Sequence, residues 1–302
     1  MNGRRYRGDL LVTIAEGALL VVNRVGLEDY LRGVVAAEMG PRPRGDAAAL
    51  EAQAVASRSF VRVRLGDSRG RAFDVRASTA DQAYGGLEAE NAGANQAVQA
   101  TRGLVLVHNG RVADALYSST CGGTTAEANE IWRTPGAEYL QRVSDRMGNS
   151  DRYYCDISPR YRWTRELQGA ELNESLARYL AQYSAVPGGQ PGTARGLHVR
   201  TNTASGRVGV LDVETDRGTF PVRGNDIRYV LRAPGGEMLS STYFSVEAQH
   251  QAGHLSRVTL RGQGYGHGVG MCQWGAIGRA RAGQSFRTIL GTYYPGTTVG
   301  TV

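Results

Sequence analysis

The feature that most limits how this chain can fold is a pair of predicted helices joined by a short break that contains two prolines. Apolar residues recur at helical spacing over residues 27–39. The sequence Gly-Pro-Arg-Pro at residues 40–43 ends this helix, because proline disfavours helical geometry in the residue before it. A second helix is predicted over residues 46–65, with Asp46 at its N-cap. Its small residues allow the two helices to pack closely.

One carboxylate, Glu38, is predicted to lie on the apolar face of the first helix. It follows Leu31 by seven residues and Val35 by three, which are separations of residues on one helix face. Burial on that face would raise the pKa of the carboxyl group and make Glu38 a proton donor near neutral pH. The alternative is a partly exposed last-turn residue, or an ion pair of Glu38 with Arg42 or Arg58.

Two segments of this helix pair resemble the opening motif of the SpoIID/LytB family, which comprises the stage II sporulation protein D and its relatives in cell-wall remodelling. They are Tyr-Leu-Arg-Gly-Val-Val-Ala-Ala-Glu-Met at residues 30–39 and Ala-Leu-Glu-Ala-Gln-Ala-Val-Ala-Ser-Arg-Ser at residues 49–59. The position that matches Glu38 is the catalytic glutamate of that family. Gln53 and Arg58 flank the buried stripe of the second helix and are candidates to point back at Glu38 and bind substrate. The alternatives are a capping glutamine and a solvated arginine.

Later segments carry the same resemblance. Asp-Gln-Ala-Tyr-Gly-Gly at residues 81–86 precedes a predicted hairpin over residues 104–117, whose Asn-Gly dipeptide is typical of a type I′ turn. A glycine loop rich in hydroxyls follows at residues 117–123, and the family has a Tyr-Ser-Ser-small-Gly-Gly-Thr segment at a similar separation. The sequence Gly-Gln-Gly-Tyr-Gly-His-Gly-Val-Gly-Met-Cys-Gln at residues 262–273 resembles the family's C-terminal signature. With Thr-Tyr-Tyr-Pro-Gly at residues 292–296 near the end of the chain, the resemblance extends from residue 27 to residue 296.

The glycine spacing at residues 262–273 also suggests a dinucleotide-binding loop, which the sequence excludes. The third glycine is not at the required spacing, and no acidic residue follows about 20 residues later. So many glycines instead indicate positive φ angles or close backbone packing around a site. We expect that site to lie beside Glu38.

The acidic residues favour one reaction class. A glycosidase that hydrolyses its substrate needs two carboxylates, whereas the acidic residues near Glu38 in the sequence do not share its helix face. These residues are Glu28, Asp29, Asp46 and Glu51. A single glutamate suits a lytic transglycosylase, which protonates the glycosidic oxygen and then deprotonates the sugar's own 6-hydroxyl to give a 1,6-anhydro product. The resemblance implies this reaction on peptidoglycan, and in the best known members on glycan strands stripped of stem peptides.

Four further residues are candidates for binding sugar hydroxyl and acetamido groups: Tyr117, Ser118, His267 and Gln273. For each, a buried structural hydrogen bond is the alternative. Two other functions remain open. LytB-type relatives are described as amidase enhancers, so the chain could be a non-catalytic cell-wall binding module with an amidase as partner. The third function is a hydrolase that pairs Cys121 or Cys272 with His267.

The three cysteines could form a disulfide or bind a metal ion. Cys121 and Cys155 both lie in polar, turn-like segments, and a disulfide between them would suit an exported protein, with Cys272 left as the odd thiol. A structural zinc ion at Cys121 and Cys155 is the more weakly indicated alternative, because no Cys-x-x-Cys pair occurs and His108 is the histidine nearest to Cys121 in sequence. No other cofactor is expected.

Composition and patterning bound the class of protein. The 35 basic residues, all arginine, give a formal charge of +7 but are scattered, so no nucleic-acid site is expected. No apolar run reaches the roughly 18 residues of a membrane span.

The resemblance implies the cell envelope, periplasmic or extracellular, with an export signal or anchor missing from this sequence. We expect an α+β fold with mixed helices and antiparallel strands around one core. Residues 1–302 would form one catalytic domain, with a β-rich lobe at residues 160–255.

Overall fold

A computed structural model describes residues 3–15, 17–68, 70–78, 80–132, 135–251 and 254–301. The helices are α1 Leu27–Met39, α2 Ala47–Asp67, α3 Ala92–Ala100, α4 Ala128–Ile131, α5 Gly169–Tyr183, α6 Asp226–Val230, α7 Gln273–Arg281 and α8 Phe286–Tyr293. The strands are β1 Asp9–Ala15, β2 Ala18–Arg24, β3 Val105–His108, β4 Arg111–Val112, β5 Tyr117–Ser118, β6 Arg162–Gln168, β7 Ala194–Asn202, β8 Val208–Thr215, β9 Gly218–Arg223, β10 Phe244–Gln251, β11 His254–Gln263, β12 Met271–Cys272 and β13 Thr298–Gly300.

The chain divides into two compact units. The first unit comprises residues 1–116 and 276–302, and the second comprises residues 117–275. The predicted α+β class is confirmed, but the chain has two units where one core was expected. The predicted lobe at residues 160–255 lies inside the second unit, whose limits are wider because β6 pairs with β11 and β5 pairs with β12.

The first unit is built on the predicted helix pair. α1, α2 and α3 pack against one another, and the α1 stripe of Leu31, Val34 and Val35 is fully buried. Asp46 occupies the N-cap position of α2 but does not cap the helix. Its carboxylate instead accepts two hydrogen bonds from Arg281, at 2.7 and 2.9 Å. The predicted N-cap position of Asp46 is therefore confirmed, whereas the prediction that its side chain caps the helix by a hydrogen bond is wrong.

The strands of the first unit form a hairpin of β1 and β2 and a sheet in the order β13–β3–β4. At the β3–β4 turn, Asn109 and Gly110 both have positive φ angles, 49° and 73°, as a type I′ turn requires. The predicted hairpin is thus confirmed at its turn. Its second strand ends at Val112, so the predicted extension to Tyr117 is wrong.

The second unit contains the antiparallel sheets β7–β8–β9 and β10–β11–β6, with the short parallel pair β12–β5. Its apolar core is made by α5, α6 and the inner faces of both sheets, and includes Leu172, Leu176, Leu211, Val258 and Leu260. In the part of the chain that the structure describes, no helix combines the length and apolar character needed to cross a bilayer.

Candidate functional site

Glu38 lies in the last turn of α1, one residue before the helix ends. Its side chain is half-buried, between buried Met39 and exposed Ala37. The carboxylate oxygen Oε1 accepts a hydrogen bond of 2.8 Å from the backbone N–H of Ala83, and such a bond stabilises the ionised form of a carboxyl group. Glu38 is therefore partly buried on the apolar face of α1, as its spacing predicts, and its carboxylate is fixed in direction.

Internal hydrogen bonds hold the segment that supplies this N–H group. Gln82 is fully buried, and its Oε1 accepts a hydrogen bond of 3.1 Å from the hydroxyl of Tyr30 on α1. Its Nε2 donates to the carbonyl oxygen of Ser57 on α2, at 3.3 Å. Two residues after Gln82, the ring of Tyr84 packs against the ring of Tyr30, with centroids 5.0 Å apart. Contacts on either side of Ala83 therefore hold residues 81–86 against α1 and α2.

Two glycines allow close packing around this segment. A Cβ atom at Gly33 would lie 2.6 Å from Cε2 of Tyr84, and one at Gly85 would overlap the Cβ of Ala89. Both distances are shorter than a normal contact between carbon atoms. Gly33 therefore allows residues 81–86 to approach α1, whereas Gly85 allows the same segment to pack against Ala89.

Tyr30 remains a phenol donor in this arrangement. Burial raises its pKa, and the negative charges of Asp81 and Glu38 raise it further. The hydroxyl therefore keeps its proton for Gln82.

The other acidic residues near Glu38 in sequence mostly have arginine partners. Glu28 pairs with Arg58, Asp29 with Arg32, and Asp46 with Arg281. Glu51 differs, because burial raises the pKa of its half-buried carboxyl group, and no ion pair is found for it within the described residues. Glu51 is thus the residue to compare with Glu38 when a two-carboxylate mechanism is tested.

The structure buries both candidate substrate-binding residues of α2. Arg58 is 1% exposed and donates to both carboxylate oxygens of Glu28 at 2.8 Å and to the carbonyl oxygen of Leu104 at 2.9 Å. Gln53 is fully buried and donates to Oγ of Ser57 at 2.9 Å. Arg58 is therefore an internal ion-pair residue and not the solvated arginine of the alternative. Both side chains therefore make internal hydrogen bonds.

The other four candidates lie together in the second unit. Tyr117 and Ser118 form β5, which pairs with β12, and Gln273 follows β12 directly. The backbone N–H of Val269 donates to Nδ1 of His267 at 3.1 Å, and His267 bonds the backbone of Tyr117. Because Nδ1 accepts, the proton of the neutral imidazole is assigned to Nε2.

His267 stays neutral over the physiological range. Burial lowers its pKa to about 3, and the positive charges of Arg228 and Arg207 lower it further. Its ring lies against the indole of Trp132, with centroids 5.1 Å apart. No hydrogen bond joins His267 to a cysteine within the described ranges. The arrangement therefore does not support the Cys–His hydrolase.

Ser118 and Gln273 are only 7% and 6% exposed. The hydroxyl of Ser118 accepts a hydrogen bond of 3.2 Å from the backbone N–H of Gly268, which is the structural alternative to sugar binding. The predicted positive φ angles are confirmed, with 112° at Gly266 and 80° at Gly268. These glycines belong to the second unit, and Glu38 belongs to the first.

The three cysteines and Asp145 form one buried cluster. The ligand atoms of Cys121, Cys155, Cys272 and Asp145 all lie within 4.8 Å of one another. The thiols are free, with the Sγ atoms of Cys121 and Cys155 separated by 3.6 Å. Cys121 and Cys155 therefore lie close together, as expected, but form no disulfide bond. Cys272, expected to be the odd thiol, belongs to the same cluster.

Sequence reasoning missed Asp145 and Arg207 in this region. Arg207 is 1% exposed, and its Nη2 donates to the carbonyl oxygens of Cys121 at 2.7 Å and Thr124 at 3.1 Å. Neither residue stands at a recognisable spacing from a cysteine. The polar segment after Cys121 is the sole sequence signal that could have drawn attention to Asp145.

Comparisons with known proteins match both halves of the chain. Residues 15–108 match a family described as stage II sporulation protein, and residues 126–270 match a domain of unknown function. The chain is 30% identical over 293 residues to the stage II sporulation protein D of Bacillus subtilis, covering 92% of this chain and 75% of that protein.

Two further relatives have similar identity. The amidase enhancer of Bacillus subtilis is 32% identical over 302 residues, covering 89% of this chain but 40% of that protein. An uncharacterized protein of Brachyspira hyodysenteriae is 30% identical over 300 residues, covering 99% of this chain and 73% of that protein.

Proposed function

The chain belongs to the SpoIID/LytB family, and from this premise we propose that it acts on the bacterial cell wall as a peptidoglycan lytic transglycosylase. Glu38 would be its acid and base, and glycan strands without stem peptides its substrate. The observation that carries this proposal is the half-buried Glu38 carboxylate at the end of α1, with Oε1 fixed by the N–H of Ala83. The proposed location is the cell envelope, periplasmic or extracellular.

The position of Glu38 suits a group that must both reach a glycan and exchange a proton. The side chain keeps part of its surface exposed at a helix end. The hydrogen bond from Ala83 removes rotational freedom from the carboxyl group, which favours proton transfer over a fixed distance. The buried bonds of Gln82 to Tyr30 and Ser57 keep that donor in place.

The proposed reaction uses this one group twice. Protonated Glu38 donates its proton to the glycosidic oxygen as the bond from the sugar to that oxygen breaks. The resulting carboxylate, stabilised by the Ala83 N–H, then takes the proton of the sugar's 6-hydroxyl while that oxygen bonds to the anomeric carbon. The proton returns to Glu38 and no water is consumed. The product is a 1,6-anhydro end.

The ion pairs described above support one carboxylate over two. Glu28, Asp29 and Asp46 are each held by an arginine, whereas a hydrolytic mechanism needs a second carboxylate that can act as base or nucleophile. Among the four acidic residues near Glu38 in sequence, Glu51 is the remaining candidate for that role.

The second candidate function is enhancement of a cell-wall amidase without cleavage. The 32% identity to the amidase enhancer favours it. In this case peptidoglycan strands and an amidase would be the binding partners. Glu38 would then contribute to binding or packing and not to chemistry.

One experiment separates these functions. The protein is incubated with intact peptidoglycan and with amidase-treated glycan strands, and the products are analysed by mass spectrometry. We expect 1,6-anhydromuramic ends from the amidase-treated strands. Reducing ends would indicate a two-carboxylate hydrolase. No cleavage of either substrate, together with faster release of stem peptides by an added amidase, would establish the enhancer function instead.

A further inference from the structure

Four buried side chains of the second unit converge on one point. Cys121, Asp145, Cys155 and Cys272 come from four separate segments, and their ligand atoms all lie within 4.8 Å of one another. A free cysteine packs as a small apolar residue, but the carboxyl group of Asp145 buried among three thiols must be compensated. The cluster therefore calls for a chemical explanation.

The distances match a metal tetrahedron better than a disulfide. A disulfide requires its sulfur atoms to be about 2.05 Å apart, whereas the Sγ atoms of Cys121 and Cys155 are 3.6 Å apart. Two thiolates on one zinc ion, each about 2.3 Å from the metal at a tetrahedral angle, lie about 3.8 Å apart. The observed separation is close to this value.

The backbone around Cys272 provides hydrogen bonds of the kind that ligand thiolates receive. The N–H groups of Cys121 and Gly275 point at its Sγ, at 3.2 and 3.3 Å. Hydrogen bonds from outside the ligand set orient metal ligands and stabilise their charge. Cys272 is therefore prepared to act as a thiolate although it is buried.

A buried positive charge lies beside the cluster. Arg207 binds the carbonyl oxygen of Cys121, and within the described residues its Nε and Nη1 have no hydrogen-bond partner. A buried guanidinium needs compensating negative charge, of which the carboxylate of Glu130 supplies part. Three thiolates and one carboxylate around a divalent ion leave a net formal charge of two negative, since four negative charges exceed the two positive ones. Such a site would compensate Arg207.

From this geometry we propose that Cys121, Asp145, Cys155 and Cys272 bind one structural zinc ion. Sulfur-rich tetrahedral sites select zinc or iron–sulfur clusters, and the single carboxylate favours zinc, which accepts Asp oxygen as a ligand. Because the protein supplies all four ligands, the site is closed and serves folding, not catalysis. The ion would tie β12 and the loop after β5 to the segments that carry Asp145 and Cys155.

The first test measures metal and thiols in the unaltered protein. Protein purified without chelator from zinc-supplemented cells should hold one zinc and no iron per chain by elemental analysis. After unfolding with a chelator and no reductant, three thiols should react. A chain with no metal and three thiols would overturn the proposal, and so would a chain with one reactive thiol, which would reveal a disulfide.

Variants then test the ligands. Asp145→Asn and Cys155→Ser should each weaken zinc affinity by at least roughly tenfold, given that even second-shell changes cost 10–100-fold. Asp145→Cys offers a four-cysteine site and should retain one zinc, which keeps the test decisive if Asp145→Asn fails to fold. Asp46→Asn is the matched control, because Asp46 is equally buried but belongs to the first unit. It should lower stability and leave the zinc content unchanged.

Removal of the metal gives an independent readout. Chelation should lower the midpoint of thermal unfolding of the wild-type protein, and zinc, but not magnesium, should restore it. Full zinc occupancy of both Asp145→Asn and Cys155→Ser would contradict the assignment of these ligands. None of these readouts depends on glycan cleavage.

Discussion

Gly268 offers a quantitative test of the packing around the glycine-rich segment at residues 262–270 of the second unit. Its φ is 80°, a region that residues with a Cβ atom rarely adopt. A Cβ atom at this position would also lie 2.7 Å from Cζ of the buried Arg207 guanidinium. Gly268→Ala therefore introduces two separate penalties, one from the backbone and one from the contact with Arg207.

Both penalties can be estimated. A left-handed backbone costs an alanine about 1–2 kcal/mol relative to glycine. Overpacking a filled interior costs about 1–3 kcal/mol more. Gly268→Ala should thus lower the free energy of unfolding by about 2–5 kcal/mol. For a unit of this size each kcal/mol corresponds to about 2–4 °C in the unfolding midpoint.

Two other glycines of the same unit provide controls. Gly236 has a φ of 85° with no atom within 4 Å of the position that a Cβ would take, and Gly235 has neither a positive φ nor a close neighbour. Gly236→Ala should cost about 1–2 kcal/mol, and Gly235→Ala should be nearly neutral. The assay is denaturant unfolding followed by circular dichroism for the three variants under identical conditions.

The contact with Arg207 is tested by a double-mutant cycle. In an Arg207→Met background, the penalty of Gly268→Ala should fall toward that of Gly236→Ala, because the clashing group is gone. If Gly268→Ala costs no more than Gly236→Ala in the unaltered background, the close packing of Arg207 against the glycine-rich segment is refuted.

Three further predictions concern stability and positioning. Arg58→Met leaves the carboxylate of Glu28 without its partner and should lower the free energy of unfolding, measured in urea, by about 3 kcal/mol. This value is near the low end for a broken buried pair because Glu28 is partly exposed. An unchanged free energy of unfolding would mean that the pair is not stabilising. The pKa of His267 is lowered to about 3 in the folded state, so the unfolded chain binds the extra proton and stability should fall as pH decreases from about 6.5 toward 3. His267→Gln should flatten this part of the stability profile, and an unchanged profile would contradict the assignment. Tyr30→Phe removes the hydrogen-bond donor to Gln82 and should lower the free energy of unfolding by about 1–3 kcal/mol. We expect this variant to lose more glycan cleavage than glycan binding. Equal losses of cleavage and binding would assign Tyr30 a role in folding alone.

Local patterns in the sequence identified the elements that depend on neighbouring residues. The apolar period of residues 27–39 and the prolines after it define α1 within its observed bounds. The Asn-Gly dipeptide defines the β3–β4 turn. The same patterns place Glu38 at a helix end, but the direction of its carboxylate depends on residues 81–86, which lie more than forty positions away.

Contacts between distant residues could not be predicted from spacing. The spacing along α2 predicts that Arg58 points back at Glu38 and binds substrate, whereas the structure pairs it with Glu28, thirty residues earlier. The cysteine cluster joins Cys121 to Cys272 across 151 residues. The pairing of β5 with β12 brings these thiols together. In each case tertiary packing, and not local preference, decides the partner.

Replacement of Glu38 tests the central claim most directly. Glu38→Gln keeps an amide oxygen that can accept the Ala83 N–H but has no proton to donate, and Glu51→Gln is the control for a second carboxylate. The rate at which 1,6-anhydromuramic ends form on amidase-treated strands is measured by mass spectrometry, with binding measured separately. We expect Glu38→Gln to bind glycan but to cleave it roughly 10²–10⁴-fold more slowly, and Glu51→Gln to cleave at the wild-type rate. Cleavage by Glu38→Gln at the wild-type rate would contradict the assignment of Glu38 as the acid and base.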